Sequence, residues 1–196
     1  MKIPLSLKKI NIDLLSLSEF KNEDIDNFIK NYDYSKHVDR GQRDIDRQKG
    51  QNKDGKDAEL ATAAFFIQKG YETTRPDFKL YPKEKKSFIP DLFISKKPIL
   101  NIPVHVKSTN PITAAAYDMS WTFQYADVNG RMDTGDHDKY IFDFPESKDR
   151  LVCCLVSGNV VSILAMTEIW VLHKYNLFKP SKKYPTSKRV IYLCDL

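Results

Sequence analysis

A chain of 196 residues is long enough for one domain with a substantial core and short for two. With 41% hydrophobic and 29% charged residues it reads as a soluble globular protein, and it has no apolar run of about eighteen residues that would span a membrane. The net charge of +5 is mildly basic, which permits contact with nucleic acid without requiring it.

The N-terminal dozen residues carry lysines but no continuous apolar stretch, so no signal peptide is expected, and the location is read as cytoplasmic. Residues 18–32 predict a helix with Ser18 as its cap and Phe20, Ile25, Phe28 and Ile29 on one face. Residues 34–56 hold Lys36, Arg40, Arg43, Arg47, Lys49, Lys53 and Lys56, with Val38 and Ile45 almost the only apolar side chains. This segment is a linker, a solvated helix or an arm facing nucleic acid. The chain therefore divides into a helical, basic extension over 1–52 and a core over 53–196.

Residues 57–69 form the strongest helical pattern, rich in Ala with Leu60, Phe65 and Phe66, and Gly70 stops it. Glu59 sits in its first turn, where a negative charge suits the helix dipole. Short strands are expected over 71–75 and 78–81, a charged turn over 83–86, and core strands over 92–94 and 102–106. Residues 114–116 favour a helix, residues 120–124 fit strand or helix, and residues 129–139 read as a loop. Strands over 151–156 and 160–164 flank Ser157-Gly158-Asn159, a hairpin signal. Thr167 can cap a helix over 168–175, residues 179–188 form a basic loop, and a last strand covers 190–194. This order predicts an α/β (α+β) domain around a mixed sheet. Cys153, Cys154 and Cys194 lack metal-ligand spacing and are odd in number, so they read as thiols in a reducing compartment. Trp121, Phe123 and Tyr125 alternate as core aromatics do, with base stacking as the other reading. Asp133, Asp136, His137 and Asp138 fit no standard metal site and read as a solvated loop.

The chemistry concentrates in Ile89-Pro90-Asp91-Leu92 and Val104-His105-Val106-Lys107-Ser108. The second stretch alternates apolar and polar residues, the period of a half-buried strand, and Ser95-Lys96-Lys97-Pro98 reads as the turn between them. Such a hairpin brings Asp91, His105 and Lys107 to one edge of a sheet. An acid, an imidazole and an amine converging there suit metal-assisted hydrolysis of a phosphodiester.

These residues resemble the PD-(D/E)XK nuclease superfamily over residues 54–110. Glu59 stands in the early helix, Pro90-Asp91 supplies the first half of the motif, and His105-Val106-Lys107 supplies the second. The resemblance implies a restriction-endonuclease-like mixed-sheet core flanked by helices. It implies a metal-dependent DNA endonuclease, restriction-like or homing-like, using Mg²⁺, with Mn²⁺ as the alternative, and leaving 5′-phosphates. Asp91, the Val106 carbonyl and Glu59 would hold the metal. Lys107 would stabilise charge at the attacked phosphate or help deprotonate the attacking water. The departure is His105, where the family carries an acid. Glu59 then completes the ligand set, or His105 binds a softer ion or orients water, or the enzyme is slow or dead; the first is favoured. On this account His105→Glu is tolerated or improves activity. Arg40, Arg43, Arg47, Lys53 and Lys56 would face the backbone of double-stranded DNA, with Ser108 and Gln124 near the substrate. A homodimer is expected, joined through residues 151–164 or the last helix with Trp170 and Leu172, since two strands need two sites. The rival readings are a non-catalytic nucleic-acid-binding protein on a decayed nuclease fold and a junction or repair nuclease.

Overall fold

The computed structural model describes residues 8–11, 22–34, 44–74, 76–78, 90–126, 129 and 138–196. Among them lie nine strands and five α-helices: β1 (Lys8–Asn11), α1 (Asn22–Asn31), α2 (Ile45–Gln68), β2 (Glu72–Thr73), β3 (Leu92–Lys96), β4 (Ile99–Thr109), α3 (Pro111–Ala116), β5 (Ser120–Gln124), α4 (Lys139–Phe142), β6 (Arg150–Ser157), β7 (Val160–Glu168), α5 (Ile169–Lys174), β8 (Lys179–Pro180) and β9 (Lys188–Tyr192). Six strands form a mixed sheet in the order β1-β7-β6-β4-β3-β2, and β5-β9-β8 form a small antiparallel sheet. In the larger sheet β4 and β6 run parallel and the other pairs antiparallel. The mixed α/β class is thus the one the element order predicts.

Each face of the six-stranded sheet covers its own core. On one face, Ala58, Ala61, Ala63, Phe65 and Phe66 of α2 pack on Leu92, Ile94, Val104, Val152, Cys154 and Val161. On the other, Trp121 and Phe123 of β5, Ile141 of α4, Ile169 and Leu172 of α5 and Ile191 of β9 pack on Leu151, Cys153 and Leu164. The alternation of β4 and β6 follows directly, because successive strand residues point to opposite faces. A register shift between Cys153 and Cys154 pairs them with Ala165 and Ile163. The extra residue, Leu164, joins Ala165 in the second core.

Helix α2 begins twelve residues before the pattern predicts. Asp44 caps it, its carboxylate accepting from Arg47 N at 2.9 Å. The first half has little apolar face to read, and much of it stays exposed; its contribution is a solvated helix, one of the three alternatives for residues 34–56. The boundary expected at 52/53 falls inside this continuous helix. Arg40 and Arg43 lie outside the described residues, as do Ser18, residues 83–86, Asp133, Asp136 and His137.

The hairpin around Gly158 and Asn159 forms as predicted, with Gly158 at φ +57°, a left-handed backbone that glycine adopts without strain. Three expectations need correction. The last helix starts at Ile169 without a Thr167 cap; the Thr167 hydroxyl donates to Glu168 O instead. The last strand ends at Tyr192, and residues 193–195 turn into a 3₁₀ segment. Residues 151–164 are unsuited to an interface, because Leu151, Val152, Cys153, Cys154, Val156, Val161, Ile163 and Leu164 are all buried within the chain, as is Leu172.

Candidate active site

Strand β4 outruns its neighbour β3. Their register pairs Leu92 with Val104, so β3 ends just where the His105-Val106-Lys107 segment begins. Asp91 closes that open edge: its Oδ2 accepts from Val106 N at 2.7 Å. The N–H and C=O of one strand residue point to the same side. The Val106 carbonyl therefore opens toward Asp91, and the adjacent His105 and Lys107 side chains turn to the second core.

Glu59 approaches from α2. It is buried and bound through both oxygens by Lys56 Nζ, at 3.0 and 2.8 Å. Lys56 also donates to Asp77 O at 2.7 Å and lies over the rings of Phe28 and Phe78. Burial, then the Asp91 charge, push the Glu59 carboxyl up to about 8, against the pull of Lys56. Asp91 and Glu59 therefore feel one another across the sheet edge, a repulsion that a cation between them would relieve.

Lys107 points to the opposite face. Its Nζ lies 3.3 Å from Asp138 Oδ2, bonds Tyr140 and sits over the Phe123 and Tyr140 rings. Burial opposes its charge, but Asp138, Tyr140 and Asp91 outweigh burial and hold the ammonium above the usual lysine range. The same Asp138 oxygen accepts from Gln124 N at 2.9 Å, tying β5 to the site. Burial raises the Tyr140 hydroxyl as well, so it stays neutral and accepts from the Lys107 ammonium.

His105 is 3% exposed, with Nε2 at 3.1 Å from Asp149 Oδ2. Its ring stacks on Tyr140 with centroids 3.7 Å apart and planes 12° apart. Burial lowers its basicity, opposed by Asp149 and Asp91. The imidazole thus joins Asp149 to Tyr140. Beyond it opens a cavity of about 790 Å³, with Pro90, Tyr140, Phe144, Glu146 and Asp149 among its walls.

The remaining expected residues are dispersed. Lys56 is turned inward, its side chain 14% exposed, and Lys53 pairs with buried Asp57 at 2.6 Å. Arg47 is exposed on the first turn of α2. Ser108 lies half-buried next along β4, paired with Cys154 in the sheet. The Gln124 amide donates to Ala126 O within its own loop. Trp121 and Phe123 are core, Trp121 donating to Cys154 O at 2.9 Å. Burial pushes the Cys154 thiol up to about 12 and the Cys153 thiol well above its ordinary value, so neither is a nucleophile at neutral pH. Asp138, Tyr140 and Asp149 belong to the cluster but come from segments 31 to 44 residues distant in sequence. The nearest signal was the His137-Asp138 pair in an otherwise polar stretch.

Among the described residues no three His, Cys, Asp or Glu side chains are placed to hold a metal ion. Asp91, Glu59 and the Val106 carbonyl are nevertheless hard oxygen donors, and Mg²⁺ commonly rests on one or two carboxylates and keeps several waters. The donor chemistry fits that ion. No family model matches the chain, and neither a curated protein nor a solved structure is significantly similar to it.

Proposed function

We propose that the chain is a metal-dependent endonuclease that hydrolyses phosphodiester bonds in double-stranded DNA, built on a restriction-endonuclease-like core. The observation that carries this reading is the sheet edge where Asp91 binds Val106 N at 2.7 Å, with Glu59 and Lys107 in its electrostatic reach. Helix α2, the antiparallel strands β2-β3-β4 and a crossover to the parallel strand β6 support this reading.

A bound Mg²⁺ or Mn²⁺ would supply Lewis-acid polarisation of the phosphate and a water of lowered pKa. Asp91 and Glu59 would hold that ion through carboxylate oxygens, with the Val106 carbonyl as a third donor. Lys107 remains protonated, so it stabilises the charge that develops on phosphoryl oxygens and does not take a proton from water. Asp138 and Tyr140 fix its ammonium. His105 acts through Tyr140 and Asp149 as a positioning residue.

The test is incubation of the purified protein with long duplex DNA and Mg²⁺ or Mn²⁺, beside Asp91→Ala and Lys107→Ala. Both variants should lose cleavage by about 100-fold or more, the scale of removing one charge-stabilising group, while still folding cooperatively, at a lower melting temperature because each loses a part-buried partner. Undiminished turnover by either ends the assignment. The bidentate Lys56–Glu59 pair favours one second reading, a nucleic-acid-binding protein on a decayed nuclease fold. Retained DNA binding with no cleavage under either metal would select it.

A further inference from the structure

We propose that the cavity beyond His105 is a pocket for one extruded nucleobase of the substrate, and that it prefers bases bearing an exocyclic amino group. This rests on the nuclease reading, since it gives the pocket a substrate beside the reacting phosphate. Its volume, about 790 Å³, lies within the range of ligand pockets, about 300–1,000 Å³.

The walls suit a flat ring. Phe144, 62% exposed, is a large aromatic side chain with no core to fill, and Pro90 and Pro145 add flat apolar surface. Bases taken out of the stack are held between such side chains. Among the described lining residues the charged groups are mostly acidic: Asp143, Glu146 and Asp149 against Lys139. That excess repels a phosphate and accepts hydrogen bonds from amino groups, as carboxylates accept from cytosine N4.

The pocket is preformed. Ser147 N donates to Phe144 O at 2.9 Å, and Asp149 N to Ser147 Oγ at 3.0 Å. The start of α5 pins the same loop, Ile169 N donating to Asp149 O and Trp170 N to Ser147 O. It also adjoins the proposed chemistry. Pro90 precedes Asp91, and His105 is two residues from Lys107 on the same face of β4, a separation of about 7 Å. A base seated on this wall would place its own strand's phosphates near Lys107.

The test is NMR titration of the full chain with deoxycytidine, deoxyadenosine and thymidine, which needs neither metal nor cleavage. Deoxycytidine and deoxyadenosine should shift the amides of residues 139–149, with thymidine about tenfold weaker. Phe144→Ala and Glu146→Gln, both exposed positions outside the proposed metal site, should each weaken binding about tenfold without changing the melting temperature. Absence of shifts at these residues, equal binding of thymidine, or indifference to both variants would overturn the pocket. Nucleoside binding by a protein that cuts no DNA would uphold it while removing the nuclease reading.

Discussion

Replacing Glu59 with glutamine keeps the shape of a protonated carboxyl and removes its ionisation. In the folded chain this group is pushed from 4.5 up to about 8, first by burial and then by Asp91. A folded state with a raised carboxyl pKa holds an extra proton between the two values. The stability this lends is complete below about 4.5 and is lost as pH rises through about 8. The gap is about 3.5 units, and about 1.36 kcal/mol for each sets a ceiling near 5 kcal/mol. Relaxation and water penetration reduce it, so a loss of roughly 2–4 kcal/mol is expected for the wild type. Urea unfolding at pH 5, 6, 7 and 8 measures it for both proteins. His105, lowered by burial, contributes with the opposite sign, stability rising with pH through its unfolded value near 6.5. That contribution is common to both proteins and cancels in their difference. The Glu59→Gln difference should therefore grow in the variant's favour from pH 5 to pH 8. Millimolar Mg²⁺ should close part of the gap at pH 8, because a cation at Asp91 and Glu59 stabilises the ionised form. Parallel curves for the two proteins would refute the burial argument. A wild-type protein indifferent to Mg²⁺ at pH 8 would refute the metal site.

His105→Glu, attractive from the family pattern alone, should instead lose at least about 3 kcal/mol of stability, because it buries a carboxylate beside the Asp149 oxygen now 3.1 Å from Nε2. A wild-type urea midpoint with raised Mg²⁺-dependent cleavage would restore the simpler view. Trp121→Ala should cost about 3–5 kcal/mol by thermal or urea unfolding, since the ring is fully buried and its Nε1–H bond to Cys154 O is lost with it. The active unit is expected to be a homodimer, and sedimentation with and without DNA checks this; a monomer that still makes double-strand breaks would refute it.

Much of the scaffold was legible because local signals and burial agree. Ser157-Gly158-Asn159 between two apolar runs specified the β6–β7 hairpin, and Val104 alternating with His105 and Lys107 specified the inner part of β4. The first half of α2 was not legible, because its cap and exposed polar faces carry no apolar period. The site was legible only where it is local. Asp91 and the 105–107 strand lie on adjacent strands, so spacing sufficed. Lys56 looked like a surface cation, since sequence cannot show that Asp77 and two aromatic rings enclose it. Asp138, Tyr140 and Asp149 reach the site only through the fold, and their partners determine what Lys107 and His105 can do.

Strand β6 contributes Val152, Cys154 and Val156 to one core and Leu151, Cys153 and Leu155 to the other. Among the described residues this strand ties the two cores together, so neither core is expected to melt independently of it. Amide hydrogens of β6 should then exchange with solvent only through unfolding of the whole chain, whereas those of the exposed first turns of α2 should exchange through local opening. A substitution in β6 therefore touches both cores, and the strand pairs directly with β4, whose Val106 meets Asp91.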